Sequence, residues 1–193
     1  MTLPTTLEGA LRGSRDAAAR AGPDAFETPR LRARPVRPGD EPLLAEILQD
    51  EQAAGTVGGV RSDEEIRELL RRLVWHRDTF GFGAWLFSDR DAGRFAGYGG
   101  LLRTRAAGEL EVEVMYSLAP RCWGRGLATE IAAELVRVAF DGLGLEGLVS
   151  YAVPANAPSR RVMEKLGMTF DREITCSNEL QVLYRLSAPA GAA

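Results

Sequence analysis

Histidine, cysteine and long apolar runs are scarce in this chain of 193 residues. Two cysteines, Cys122 and Cys176, cannot make a disulfide framework and are too few for a structural zinc site. The single histidine, His76, lies far from both in sequence, so neither thiol has a visible base to activate it. His76 itself reads as a packing or surface residue. No apolar stretch reaches about 18 residues, and the opening MTLPTTLEGALRGSRDAAARAG lacks the apolar core of a signal peptide. The expectation is a soluble, cytoplasmic protein with no metal and no membrane partner. A large charge excess is missing too. A formal net charge of -3 and a pI near 5.4 leave no footprint of a nucleic-acid binder.

What is present suits one ordinary domain, with 45% hydrophobic and 26% charged residues. Residues 1–26, rich in Ala, Gly and Arg, read as an arm, disordered or a short helix; 27–187 form the domain and 188–193 a flexible tail. Alternation over Leu31 to Arg34 predicts a strand, and Asp40 is placed to cap a helix carrying Leu43, Leu44, Ile47 and Leu48. Gln49 to Val60, with three glycines, predicts an irregular loop. Ser62 and Glu65 spell a capping box for a helix that buries Ile66, Leu69, Leu70, Leu73 and Val74, while the interleaved Arg and Glu of its other face read as solvated. Two strands follow, Ala84–Phe87 and Phe95–Leu102, the second carrying Gly97, Gly99 and Gly100, which imply a bulge or a close backbone approach.

The chain is organised around Leu110 to Ala128, LEVEVMYSLAPRCWGRGLA. Leu110, Val112, Val114, Tyr116 and Leu118 alternate with Glu111, Glu113, Met115 and Ser117, which predicts a strand with two carboxylates on one face. Beyond it, Gly124 and Gly126 permit a turn with free N–H groups, and a helix beginning near Thr129 adds the positive end of its dipole. Such a place attracts phosphate. The spacing fits neither G-x-x-x-x-G-K-[ST] nor G-x-G-x-x-G, so another phosphate ligand is implied. The helix, with Ile131, Leu135 and Val138 on one face, leads to a strand at Leu148–Val153, a connection long enough for a right-handed parallel crossover. A second helix from Ala157 and a closing hairpin, Phe170–Ile174 with Leu180–Leu186, complete the chain. The fold class is α/β (α+β), a mixed sheet with helices on both faces.

The order of elements, PRCWGRGLATE and VPANAPSRRVMEKLGMTF together resemble the GNAT N-acetyltransferases, in the branch of ribosomal-protein N-terminal acetyltransferases (RimJ/RimL type). The resemblance runs from about Thr28 to Leu186. It implies a mostly antiparallel sheet with a parallel central pair and acetyl-CoA as co-substrate. The family pattern Q/R-x-x-G-x-G/A falls on Trp123 to Ala128, with Trp123 in place of Gln or Arg. By this resemblance Gly124, Arg125, Gly126, Leu127, Ala128 and Thr129 surround the pyrophosphate, Leu118 bonds the pantetheine arm, and Asn156 contacts the arm from the far side. The implied reaction is transfer of acetyl to a primary amine, a small molecule or a protein N-terminus, by direct attack in a ternary complex.

Attack by an amine on a thioester needs a proton acceptor, and a departing thiolate benefits from a donor. Glu113 aligns with the Glu of the family's E-I-G-Y-W-L-like strand and is the candidate base, against the alternative of an exposed strand Glu. Ser159 is the candidate thiol-facing donor, against the alternative of a helix cap. Glu111, on the same face as Glu113 but without a counterpart, reads as solvated. Glu179 could approach the amine, and Cys176 reads as a turn residue. The competing function is a non-catalytic acyl-CoA sensor or interaction domain. A monomer or a homodimer is expected.

Overall fold

In the computed structural model residues 21–55, 58–106, 108–176 and 178–189 are described. Residues 1–20 of the arm expected over 1–26, and residues 190–193 of the tail, lie outside them. Eight strands form one sheet: β1 (Phe26–Glu27), β2 (Leu31–Pro35), β3 (Ala84–Asp89), β4 (Phe95–Ala106), β5 (Glu109–Leu118), β6 (Gly147–Ala152), β7 (Thr169–Cys176) and β8 (Glu179–Ser187). Their order is β1-β2-β3-β4-β5-β6-β8-β7, antiparallel throughout except for the parallel β5–β6 neighbours. The helices are α1 (Glu41–Leu48), α2 (Glu51–Ala54), α3 (Asp63–Phe80), α4 (Leu127–Arg137) and α5 (Ala157–Lys165). This is the mixed sheet that the hydrophobic patterning predicts.

The period-2 alternation of strand side chains divides the core into two layers. Trp85, Phe87, Leu101 and Val114 meet Leu127, Ile131 and Leu135 of α4 and Met163 of α5. Their neighbours Leu86, Leu102 and Met115 meet Leu44 and Ile47 of α1 and Ile66, Leu70 and Leu73 of α3 on the other face. Each such side chain, fully buried, contributes about 1.5–3 kcal/mol through loss of apolar contact with water. The capping box of α3 is formed, with Ser62 accepting from the Glu65 N–H and the Glu65 carboxylate accepting from the Ser62 N–H. The β4 glycines are where strands press together: a Cβ on Gly100 would stand 2.6 Å from the Gly83 carbonyl oxygen.

Some local expectations are corrected. Asp40 precedes α1 but does not cap it, because its carboxylate is taken by a two-pronged pair with Arg34 and by the Arg37 N–H at 2.7 Å. Gln49–Val60 is not wholly irregular. It holds α2, a single turn that Asp50 caps through the Ala53 N–H at 2.9 Å. Leu110 shares a face with Val114 and Leu118 but is 47% exposed, at the outer end of β5. Among the described residues, no helix is long and apolar enough to cross a membrane.

One irregularity positions the site. β5 and β6 are in register only at Glu113↔Val149, and from there β5 runs on to Leu118 and β6 to Ala152 without further pairing. A wedge opens in the middle of the sheet, and the two layers of the core communicate through it.

Candidate active site

The wedge is bounded on one side by the end of β5 and the turn after it. Ala119 N–H bonds the Ala96 carbonyl at 3.0 Å, which makes Gly97↔Leu118 a pair without hydrogen bonds of its own. The N–H and C=O of Leu118 therefore face the wedge, and the Trp123 indole N–H donates to that carbonyl at 2.9 Å. Gly124 and Gly126 follow with φ +70 and +75, left-handed conformations that strain any residue with a Cβ. Gly126 is the N-cap of α4 and has no side chain to bond the helix's first N–H groups, so these and the dipole remain available to an anion. α4 thus begins at Leu127, two residues before the position expected from sequence.

The turn is held from behind. Arg30 donates to the Arg125 carbonyl at 2.8 Å and through Nε to Glu130 Oε2 at 2.6 Å, while the Arg30 N–H and the Thr28 hydroxyl bond Glu130 Oε1. Burial alone would raise the Glu130 carboxyl, but the bonds from Thr28 and Arg30 outweigh it and hold it below the ordinary range. This clamp joins positions about a hundred residues apart.

The floor of the wedge is Glu113, 1% exposed, at the single point where β5 and β6 are in register. Tyr151 of β6 donates its hydroxyl to Glu113 Oε2 at 2.9 Å. Burial pushes the Glu113 carboxyl up to about 7, partly offset by the Tyr151 bond. The Tyr151 phenol is pushed up as well, by burial and by the neighbouring carboxylate, and stays a donor. On the other face of β5 the Tyr116 hydroxyl lies 3.1 Å from Ser159 Oγ and 3.2 Å from the Ser159 carbonyl. Burial pushes that phenol up to about 12. Asn156 caps α5, its Oδ1 accepting the Ser159 N–H at 3.1 Å.

These groups face one cavity of about 420 Å³, within the usual range for small-molecule sites. A model of the acetyltransferase (GNAT) domain matches residues 30–169. The chain belongs to the GNAT acetyltransferases. It is 26% identical over 158 residues to the uncharacterized protein YkkB of Bacillus subtilis, covering 81% of this chain and 92% of that one. An acetyltransferase of Agrobacterium tumefaciens superposes with a TM-score of 0.75 at 28% identity, over 90% of this chain and 99% of that one. The ribosomal-protein-S5-alanine acetyltransferase of Vibrio fischeri shares the fold, with a TM-score of 0.69 at 18% identity over 86% and 97% of the two chains. The protein is therefore an acyl-CoA-dependent acetyltransferase, and acetyl-CoA is the donor used by this family.

In this GNAT chain, every residue expected to hold the donor or to move a proton lines the cavity except Arg125, whose carbonyl bonds Arg30. That covers Glu113, Leu118, Trp123, Gly124, Gly126, Leu127, Ala128, Thr129, Asn156 and Ser159. Corrections fall on their neighbours. Glu111 is not solvated but paired with Arg185 at 2.5 Å. Cys176 is the last residue of β7 rather than a turn residue, and it lines the cavity with Glu179 across the hairpin. Glu113 is no exposed strand Glu, and in α5 the capping side chain is Asn156, not Ser159. His76 packs in the interior, with Nδ1 2.9 Å from the Phe82 carbonyl and Nε2 accepting the Arg103 N–H at 2.8 Å; burial lowers its pKa to about 4. Sequence reasoning passed over Tyr116, Tyr151, Arg30 and Glu130. Tyr116 was absorbed into an apolar row, and the others act through partners far away in the chain.

Proposed function

We propose that the protein transfers acetyl from acetyl-CoA to a primary amine by direct attack within a ternary complex. The observation that carries the reading is Glu113, a buried carboxyl at the floor of the cavity with its pKa pushed up to about 7. A group poised near neutrality exchanges a proton with an amine far more readily than an ordinary carboxylate. The residues present also fit the donor. The left-handed glycines and uncapped start of α4 suit the pyrophosphate, and the main chain of Leu118, turned into the wedge, suits the amide groups of the pantetheine arm. Bound acetyl-CoA supplies the activated thioester. Asn156 starts the helix that brings Ser159 to the opposite wall.

On this reading Glu113 takes the proton from the amine, directly or through water, and Tyr151 steadies the carboxylate. The Tyr116–Ser159 hydroxyl pair is the proton source for the departing thiolate, with Ser159 nearest the thiol and Tyr116 behind it. One domain over residues 27–187 carries the site and acts in the cytoplasm. The name of the Vibrio fischeri relative, an enzyme acting on a protein alanine, supports an amine acceptor as a class. The test is acetyl-CoA-dependent thiol release by the full-length protein across a panel of small amines and peptides, read together with the mass of the acetylated product. Tight CoA binding with no release for any amine would sink the proposal.

A further inference from the structure

The cavity has a second polar wall that the acetyl donor leaves unexplained. On the face of the sheet that carries Glu113, Tyr98 of β4 stands directly opposite Ser117 of β5, and both line the cavity together with Arg61, just before α3. Tyr98 is 4% exposed and Ser117 is also buried, yet among the described residues neither hydroxyl has a hydrogen-bond partner. Both hydroxyls open onto the cavity, where they are free to bond a polar ligand.

Arg61 supplies the charge. Its side chain is 18% exposed, and its pair with Glu65 is long, 3.3 Å. The other Glu65 oxygen is held by the N–H and hydroxyl of Ser62, each at 2.9 Å, so the capping box competes for the carboxylate. The five donors of a guanidinium are not met by one distant oxygen. The Tyr98 phenol, pushed up to about 12 by burial, lies within electrostatic reach of both Arg61, which favours its ionised form, and Glu113, which opposes it. A guanidinium beside hydroxyl donors is a typical carboxylate-binding set. Acidic groups also line the cavity, Glu113 at its floor and Glu179 at the start of β8, and Arg161 and Lys165 of α5 line it as well. Both signs of charge thus face the cavity, which suits a molecule bearing both charges.

We propose that Arg61, Tyr98 and Ser117 form a carboxylate subsite, and that the acceptor is a small amine that also carries a carboxylate, as an amino acid does. The inference rests on the acetyl-transfer reading above. In the reaction the nitrogen–carbonyl bond forms, the carbon–sulfur bond breaks, the amine proton passes to Glu113, and the thiolate takes a proton from the Tyr116–Ser159 pair. The products are an N-acetylated acid and free CoA. The carboxylate keeps its charge throughout, so its pairing with Arg61 is the same in ground and transition states and governs KM rather than kcat. A polyamine brings further positive charge against Arg61. A protein N-terminus brings an amide where the subsite calls for an anion.

Full-length protein is offered carboxylated amines of graded chain length, each beside its carboxamide, together with spermidine and a short peptide of uncharged side chains. One arm reads thiol release from acetyl-CoA, and the other reads calorimetric binding of each amine to protein saturated with CoA. The acids are expected to bind at least tenfold more tightly than their amides. Arg61→Met should erase the gap, Tyr98→Phe, which keeps the ring and its packing, should narrow it, and KM for acetyl-CoA should stay unchanged in both. Equal binding of acid and amide, or tightest binding of spermidine or the peptide, overturns the subsite even when acetyl transfer proceeds. Selective binding of the acids with no thiol release from any amine supports the subsite and overturns the transfer reading instead.

Discussion

Glu113→Gln separates what the carboxylate does for the reaction from what it does to the fold. In the wild type, burial raises this carboxyl from 4.5 to about 7. The native state therefore binds the proton more tightly than the unfolded chain does. The sign follows: stability is highest below the unfolded pKa and is lost as pH rises through about 7. The rise from 4.5 to about 7 corresponds to about 3–4 kcal/mol. Glutamine keeps an oxygen for the Tyr151 hydroxyl but cannot ionise, so the variant escapes that loss. Thermal melts of both proteins from pH 4.5 to 9 should show a difference in favour of Gln that grows across that interval and levels off above about pH 8. At about 2–4 °C per kcal/mol for a chain of this size, the plateau is about 7–14 °C. Turnover should move the other way. The wild-type rate should climb through about pH 7 as the base ionises, whereas the variant stays flat and at least about a hundredfold lower. A stability gap independent of pH, or a wild type more stable than the variant at pH 9, refutes the buried-base argument.

Tyr151→Phe removes the hydroxyl that favours the ionised carboxylate, so the midpoint of the pH–rate profile should move upward, and an unmoved midpoint would deny the coupling. Gly126→Val forces a β-branched residue to φ +75 at the start of α4; equilibrium titration should show acetyl-CoA affinity falling at least tenfold, and an unchanged constant would remove the turn from the donor site. Arg30→Ala unties the Arg125 carbonyl from behind, and its effect should be a several-fold rise in KM for acetyl-CoA with KM for the amine unchanged. A parallel rise in both constants would mark Arg30 as a general prop.

The elements were legible where one pattern settles the structure. Period-2 alternation announced β5, and Ser62 with Glu65 announced the start of α3, because both signals are complete within a few residues. The donor-side turn was legible for the same reason, its glycines and the helix after them being contiguous. What stayed hidden depends on partners distant in the chain. Asp40 looks like a cap until Arg34 folds back onto it, and Glu111 looks solvated until Arg185 of β8 arrives from the far side of β6. Glu113 could be aligned with a family position but not seen to be buried, since its surroundings come from Tyr151, 38 residues further on, and from the register of two strands. The acceptor wall was the least legible part. Arg61 lies in the loop before α3, Tyr98 on β4 and Ser117 on β5, and no local pattern brings the three together.

The break between β5 and β6 also gives the sheet the mechanics of a notched plate. Two strands in its interior behave like edges where they part, with the main chain of Leu118 turned into the gap. Pro154, two residues past the end of β6, has no N–H to offer β5 and cannot donate to an extended ladder. At the root of the notch, Glu113↔Val149 is reinforced by Arg185, which reaches across β6 to Glu111. The fold thus keeps its sheet in two panels riveted at one end. How far the panels splay is set by the rivet, several residues away from any atom that reacts.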